Sequence, residues 1–170
     1  LLKERKILFN DDCTSAIIEM VLLPLQEMAS DGTNKPIEII LNTSGGEYFE
    51  ALVLCNFIET IKCPLTITVL GKACSTGIYL AMAGKNNPNV TRRCYPFSFG
   101  LLHAGYQTLS GMLTQHLDQL DFTKAYEEQV KAYVLRNSTI TSELYDSMYR
   151  NDWYFCSEKL IQYGIVDKII

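Results

Sequence analysis

Apolar positions along this chain fall at two spacings, one helical and one strand-like, and the two alternate. Residues 14–29 set Ile17, Ile18, Val21, Leu22 and Leu25 on one helical stripe, with Thr14 or Ser15 as the cap. Pro24 interrupts that helix and is expected to kink it. After a turn at 31–34, the Ile-rich run 37–41 reads as a buried strand that ends at Asn42-Thr43-Ser44-Gly45-Gly46. A helix over 49–61 stops at Cys63-Pro64, and 65–70 is a second β-branched strand. Residues 71–75 then turn the chain into a helix over 76–83. Strand, glycine turn, helix thus occurs twice in succession, which predicts an α/β fold with parallel strands.

Beyond the polar loop 85–89, two more strands are predicted at 90–95 and 97–103, joined at Pro96. Residues 104–111 carry two glycines and no clear period. A long helix follows over 114–135, about 33 Å at 1.5 Å per residue. Its apolar positions drift from Leu113, Leu117 and Leu120 to Phe122, Ala125, Val130 and Val134, so one narrow stripe does not hold them. A curved core helix and a self-association surface both fit that pattern. Thr141 caps a short helix over 141–149, a last helix over 157–163 ends at Gly164, and 165–170 reads as a closing strand.

The chain has 170 residues, enough for one domain over 1–170 with a substantial core, and shows no internal repeat. Its 48% hydrophobic and 20% charged content is ordinary for a globular protein. A net charge of −4 gives no basic footprint for a nucleic acid partner. No apolar run is long enough to span a bilayer, and no signal peptide is visible. Six scattered cysteines without a C-x-x-C pair read as buried thiols in a reducing, cytoplasmic setting. With two histidines only, no metal site is expected.

Acyl transfer by a serine needs a base, a carboxylate to orient it and donors for the oxyanion. The chain offers His103 and His116 as bases. His116 falls inside the long helix beside Gln115 and Asp118, on a face expected to be solvated. His103 ends a predicted strand just before a glycine-containing loop, where parallel α/β sheets place their sites. Ser75 sits where a strand and glycine turn feed a helix, so the helix start offers the Thr76 N–H to an anion. Gly45-Gly46 ends the neighbouring strand and can supply a second donor. Each residue also has a plainer role: a structural histidine, an N-cap serine, an ordinary turn. Chemistry alone selects none of the 19 acidic residues as orienter. There is no G-x-x-x-x-G-K-[ST] or G-x-G-x-x-G motif for a nucleotide.

Five segments together resemble the proteolytic subunit of the Clp protease, the ClpP family of serine peptidases, over essentially the whole chain. Leu1-Leu2-Lys3-Glu4-Arg5 resembles the family's opening strand, and Gly71-Lys72-Ala73-Cys74-Ser75-Thr76-Gly77 its G-x-A-x-S-M-G nucleophile segment. His103 closes a strand as the family's base does. Asp152-Trp153-Tyr154-Phe155 stands where the family has its aspartate-aromatic segment. Tyr163-Gly164-Ile165-Val166-Asp167-Lys168-Ile169 is similar to its Y-G-[IL]-[IV]-D-x-[IV] tail. The resemblance implies Ser75 as nucleophile, His103 as general base, Asp152 as its orienter, and the Gly46 and Thr76 N–H groups as oxyanion hole.

It further implies a crotonase-like α/β fold, heptameric rings stacked in pairs as a tetradecamer, and the long helix as the handle between rings. Residues 104–111 become a substrate-binding strand. Unfolded polypeptide is the implied substrate. It would be fed by a separate AAA+ unfoldase that uses ATP, with no cofactor in this chain, and the resemblance leaves room for a second ClpP-type subunit beside it. Departures from the pattern are Thr43-Ser44-Gly45-Gly46 for S-P-G-G, Thr76 for methionine, His103-Ala104-Gly105 for H-Q-P, and Asn151 for the arginine before the aspartate. They leave a second reading, a ring subunit of low or no activity with an assembly or regulatory role. The same residues also admit a crotonase-fold acyl-CoA enzyme, or a peptidase whose nucleophile is Cys74.

Overall fold

The computed structural model describes residues 1–106, 108 and 110–170. Its sheet has the order β1 (Lys6–Phe9), β2 (Ile37–Thr43), β3 (Leu65–Cys74), β4 (Val90–Cys94) and β7 (Lys168–Ile169), all parallel. The Ile-rich run forms a strand that buries alternate residues, Ile37, Ile39, Leu41 and Thr43. The helix α2 (Tyr48–Thr60) buries Ala51, Leu54, Cys55 and Ile58, the i, i+3, i+4, i+7 stripe of an amphipathic helix. The helix α3 (Thr76–Met82) is buried at every position and packs on β2, β3, the strand β5 (Phe99–Leu102) and α2.

β3 is longer than its β-branched half. Residues 65–69 pair with β4, whereas Lys72, Ala73 and Cys74 pair with Phe99, Gly100 and Leu101 of β5. The change of partner coincides with a register shift against β2 between Leu41 and Thr43. There the Asn42 side chain accepts the Lys72 N–H, and it lies 2.8 Å from where a Cβ on Gly71 would fall. The expected turn at 71–75 is therefore strand up to Cys74. β5 in turn pairs antiparallel with β6 (Trp153–Cys156).

Two polar networks tie the sheet. Glu38 on β2 bonds Thr68 of β3 and Arg93 of β4 and faces Lys6 of β1, so one carboxylate links four adjacent strands. Burial alone would raise its pKa, but the Thr68 and Arg93 hydrogen bonds and the nearby cations outweigh that and lower it. Arg92 is buried, paired with Asp167, and donates to the carbonyls of Met82, Gly164 and Ile165. It thereby fastens the Tyr163–Ile169 tail to the sheet.

Several expectations are corrected. The helix over 14–29 starts later and runs through a π-helical turn, Ile18–Leu22, directly into α1 (Leu23–Ser30), with Leu22 and Leu23 both in the right-handed helical region. Pro24, with no N–H to give, sits just after that turn, where the interruption was expected. The strand expected at 97–103 begins at Phe99. The closing strand is confined to Lys168–Ile169. In the segment 104–111, Gln107 and Leu109 lie outside the described residues, and the described ones carry no strand.

The long helix α4 runs Leu113–Arg136, its Met112 cap N–H received by the Gln115 side chain. Its buried residues, Val130 and Val134, both lie near its C-terminal end, so the N-terminal turns project from the body. His116 is half-buried rather than solvated, its covered Nε2 without a hydrogen-bond partner among the described residues. α5 (Ser142–Met148) is capped by the Thr141 side chain, and α6 (Ser157–Gln162) packs on β5, β6 and β7. Among the described residues, no helix is long and apolar enough to cross a membrane.

Candidate active site

The order of strands places Ser75 and His103 on one cavity through backbone pairing, with Asp152 off its wall. β3 ends at Cys74, and the next residue, Ser75, donates its N–H to Leu101 O of β5 at 2.8 Å. Two residues further on, β5 delivers His103. The antiparallel ladder ends at the pair Leu102↔Trp153, so His103 follows one member of that pair and Asp152 precedes the other. His103 is half-buried and Asp152 exposed. Among the described residues no hydrogen bond or ion pair joins Ser75, His103 and Asp152.

Ser75 has φ 53° and ψ −123°, outside the common regions for a residue with a Cβ. Such a conformation costs on the order of 1–3 kcal/mol and persists only where its surroundings enforce it. Those surroundings are the Leu101 hydrogen bond and the fully buried α3 that follows. Ser75 occupies the N-cap position of α3, yet its side chain makes no capping hydrogen bond. The plain structural role for this serine is therefore not filled, and its hydroxyl is left available beside the cavity.

Gly45 and Gly46 approach from the end of β2. Gly45 has φ +98°, and a Cβ there would lie 2.5 Å from Cys74 O and 2.9 Å from Thr76 N. Only a glycine lets the two turns come this close. Gly46 is held by a bridge to Cys13, with Cys13 N donating to Gly45 O and Glu47 N to Cys13 O. Among the described residues, neither the Gly46 nor the Thr76 N–H meets an acceptor. Two free donors thus flank the Ser75 turn.

Ser75, His103 and Gly46 line one cavity of about 630 Å³, bounded by the start of α2 and the middle of α4. Asp152 is not on its wall. One part of the wall is a cluster of aromatic rings. Phe49 lies 4.8 Å from Tyr126 between ring centroids, and Phe122 lies 5.9 Å from Tyr126. Tyr48, also on the wall, shares a 2.8 Å hydrogen bond with Tyr79 behind it, and burial pushes both phenols above their ordinary pKa. The sequence pattern did not single out these residues. The Phe122, Tyr126 spacing of i, i+4 on α4 was the available signal, but their meeting with Phe49 depends on the packing of α4 against α2.

The cysteines nearby do not offer a better nucleophile. Cys74 is buried, and burial raises its pKa despite the charge on Lys72. Cys13 lines the cavity, but burial raises its thiol as well, against the lowering effect of the Thr76 and Thr43 hydroxyls. A thiolate is needed for attack, and neither site favours it. Five of the six cysteines are buried and all are free. Among the described residues no three His, Cys, Asp or Glu side chains gather as a metal would require.

The Clp protease family model matches residues 1–170. This chain belongs to the Clp protease family. It is also similar to the proteolytic subunit 1 of the ATP-dependent Clp protease of Salinibacter ruber, with 24% identity over 176 residues. That match covers 100% of this chain and 72% of the relative. The mostly parallel sheet and long projecting helix accord with a ClpP-like fold.

Proposed function

We propose that this chain is a Clp-type serine endopeptidase subunit that cleaves unfolded polypeptide inside a ring-shaped chamber, supplied by a separate ATP-driven unfoldase. The observation that carries the reading is Ser75: a strained N-cap serine that caps nothing and faces the same cavity as His103. In this reading His103 removes the hydroxyl proton as Ser75 Oγ attacks the peptide carbonyl. The Gly46 and Thr76 N–H groups receive the oxyanion, each worth roughly 10²–10³ in rate. His103 returns the proton to the leaving amine, and water then repeats the sequence on the acyl-enzyme. Asp152 fixes the imidazole tautomer from the neighbouring strand.

A fluorophosphonate probe tests the assignment. Wild-type protein should be labelled at Ser75, and Ser75→Ala and His103→Ala should each lose more than about 10³-fold in peptide hydrolysis. A loss below about tenfold at either position contradicts its role. Asp152→Asn should also cut turnover strongly.

One observation favours a second reading. The three side chains are not hydrogen-bonded to one another among the described residues, and Asp152 is exposed. A subunit that is inactive alone, and serves assembly or regulation, fits that geometry. Labelling that appears only on co-assembly with another subunit separates a dormant site from a dead one.

A further inference from the structure

The cavity beside Ser75 has an unbalanced charge. Asp12, Glu47 and Glu127 lie on its wall, and no Lys or Arg does among the described residues. Among those residues none of the three carboxylates is in an ion pair. This sets them apart from Asp31, Glu38, Asp146 and Asp167, which each hold a cation. The rings of Phe49, Phe122 and Tyr126 line the same cavity, packed against one another. Such an apolar wall suits the aliphatic stem of a long side chain. At about 630 Å³ the cavity is of the size that takes a ligand group rather than a single water.

We infer that this cavity selects lysine or arginine side chains of the bound polypeptide, its aromatic walls holding the aliphatic stem and its free carboxylates the cationic head. Long cationic side chains are amphipathic in just this sense: an apolar stem that packs and a charged tip that seeks acid. Acidic segments are excluded by the same field. The inference rests on the proposed reading only in taking polypeptide as what fills the cavity; it does not need the triad to turn over.

The test uses the assembled Ser75→Ala protein and three fluorescent decapeptides, alike except for a central lysine, norleucine or glutamate, followed by anisotropy. Norleucine keeps the stem and removes the charge. The lysine peptide should bind about two- to fivefold more tightly than its norleucine twin, as one exposed ion pair supplies. The glutamate peptide should bind most weakly, and the lysine preference should shrink as salt rises from low to high. Adding Glu127→Gln or Asp12→Asn should lower the lysine-to-norleucine ratio while leaving norleucine binding within about twofold.

Equal or tighter binding of norleucine overturns the inference, as does a lysine preference untouched by either carboxylate change, or no binding by any peptide. Incubating the wild-type protein with the lysine peptide, read by mass spectrometry, keeps the two proposals apart. Lysine-selective binding without cleavage sinks the peptidase reading and leaves the specificity standing. Cleavage without a lysine preference does the reverse.

Discussion

Gly45→Ala probes how the Ser75 turn is held. The φ of Gly45 is +98°, and an added Cβ would lie 2.5 Å from Cys74 O, 2.7 Å from Ser75 Cβ and 2.9 Å from Thr76 N. Two of these are backbone atoms that cannot rotate away. The left-handed backbone costs a residue with a Cβ about 1–2 kcal/mol. Forcing a methyl group into filled space costs about 1–3 kcal/mol more. The combined loss, about 2–5 kcal/mol, can be relieved only by moving the segment that carries Ser75. Gly32 is the internal control, because its φ is +75° and a Cβ there meets nothing within 4 Å. Gly32→Ala therefore incurs the backbone cost alone.

Urea unfolding of both variants should show Gly45→Ala the less stable by about 1–3 kcal/mol, the packing share of the cost. Fluorophosphonate labelling of Ser75, measured well below the unfolding midpoint, should slow in Gly45→Ala and stay at the wild-type rate in Gly32→Ala. Equal midpoints together with equal labelling rates would refute the claim that Gly45 sets the position of Ser75.

Three more expectations follow from other parts of the molecule. Arg92→Leu strands the Met82, Gly164 and Ile165 carbonyls and unpairs Asp167, so urea unfolding should show a loss of about 3 kcal/mol or more. Glu38 has a folded-state pKa below its ordinary value of 4.5, so its stabilisation is complete above that value and is lost as pH falls through the lowered one. The gap in urea midpoint between wild type and Glu38→Gln should thus be widest near neutrality and close in acid; a gap that widens in acid contradicts the assignment. Ala125 lies exposed midway along α4, and if that helix joins copies of the chain, Ala125→Glu should shift the sedimentation profile to smaller species, whereas an unchanged profile argues against it.

What the chain disclosed in advance was what local pattern controls. The stripe of α2 and the Ile-rich β2 are legible because burial repeats at fixed spacing. The C-terminal half of β3 was not, because Gly71-Lys72-Ala73-Cys74 has the composition of a turn and is a strand only through pairing with β5. Trp153–Cys156 stands out for its aromatics, but its role as a strand depends on the same remote partner. Pro24 announced an irregularity in the first helix, but not that it takes the form of a π-helical turn. At the site, Ser75 was correctly placed at a helix start, but only the folded chain could show that its hydroxyl caps nothing. The aromatic wall was hidden because Phe49 and Tyr126 belong to separate helices that meet only on folding.

The two-stranded ribbon of β5 and β6 has a mechanical consequence. His103 and Asp152 hang from the same end of one ladder, next to the pair Leu102 and Trp153, whereas Ser75 belongs to the start of α3. Ser75 is nevertheless tied to the same ribbon by its hydrogen bond to Leu101 O, and α6 packs on both of its strands. A neighbour leaning on the exposed Tyr154 of β6 would therefore reach serine, histidine and aspartate through one short ladder, and would act on the three together rather than on any one of them.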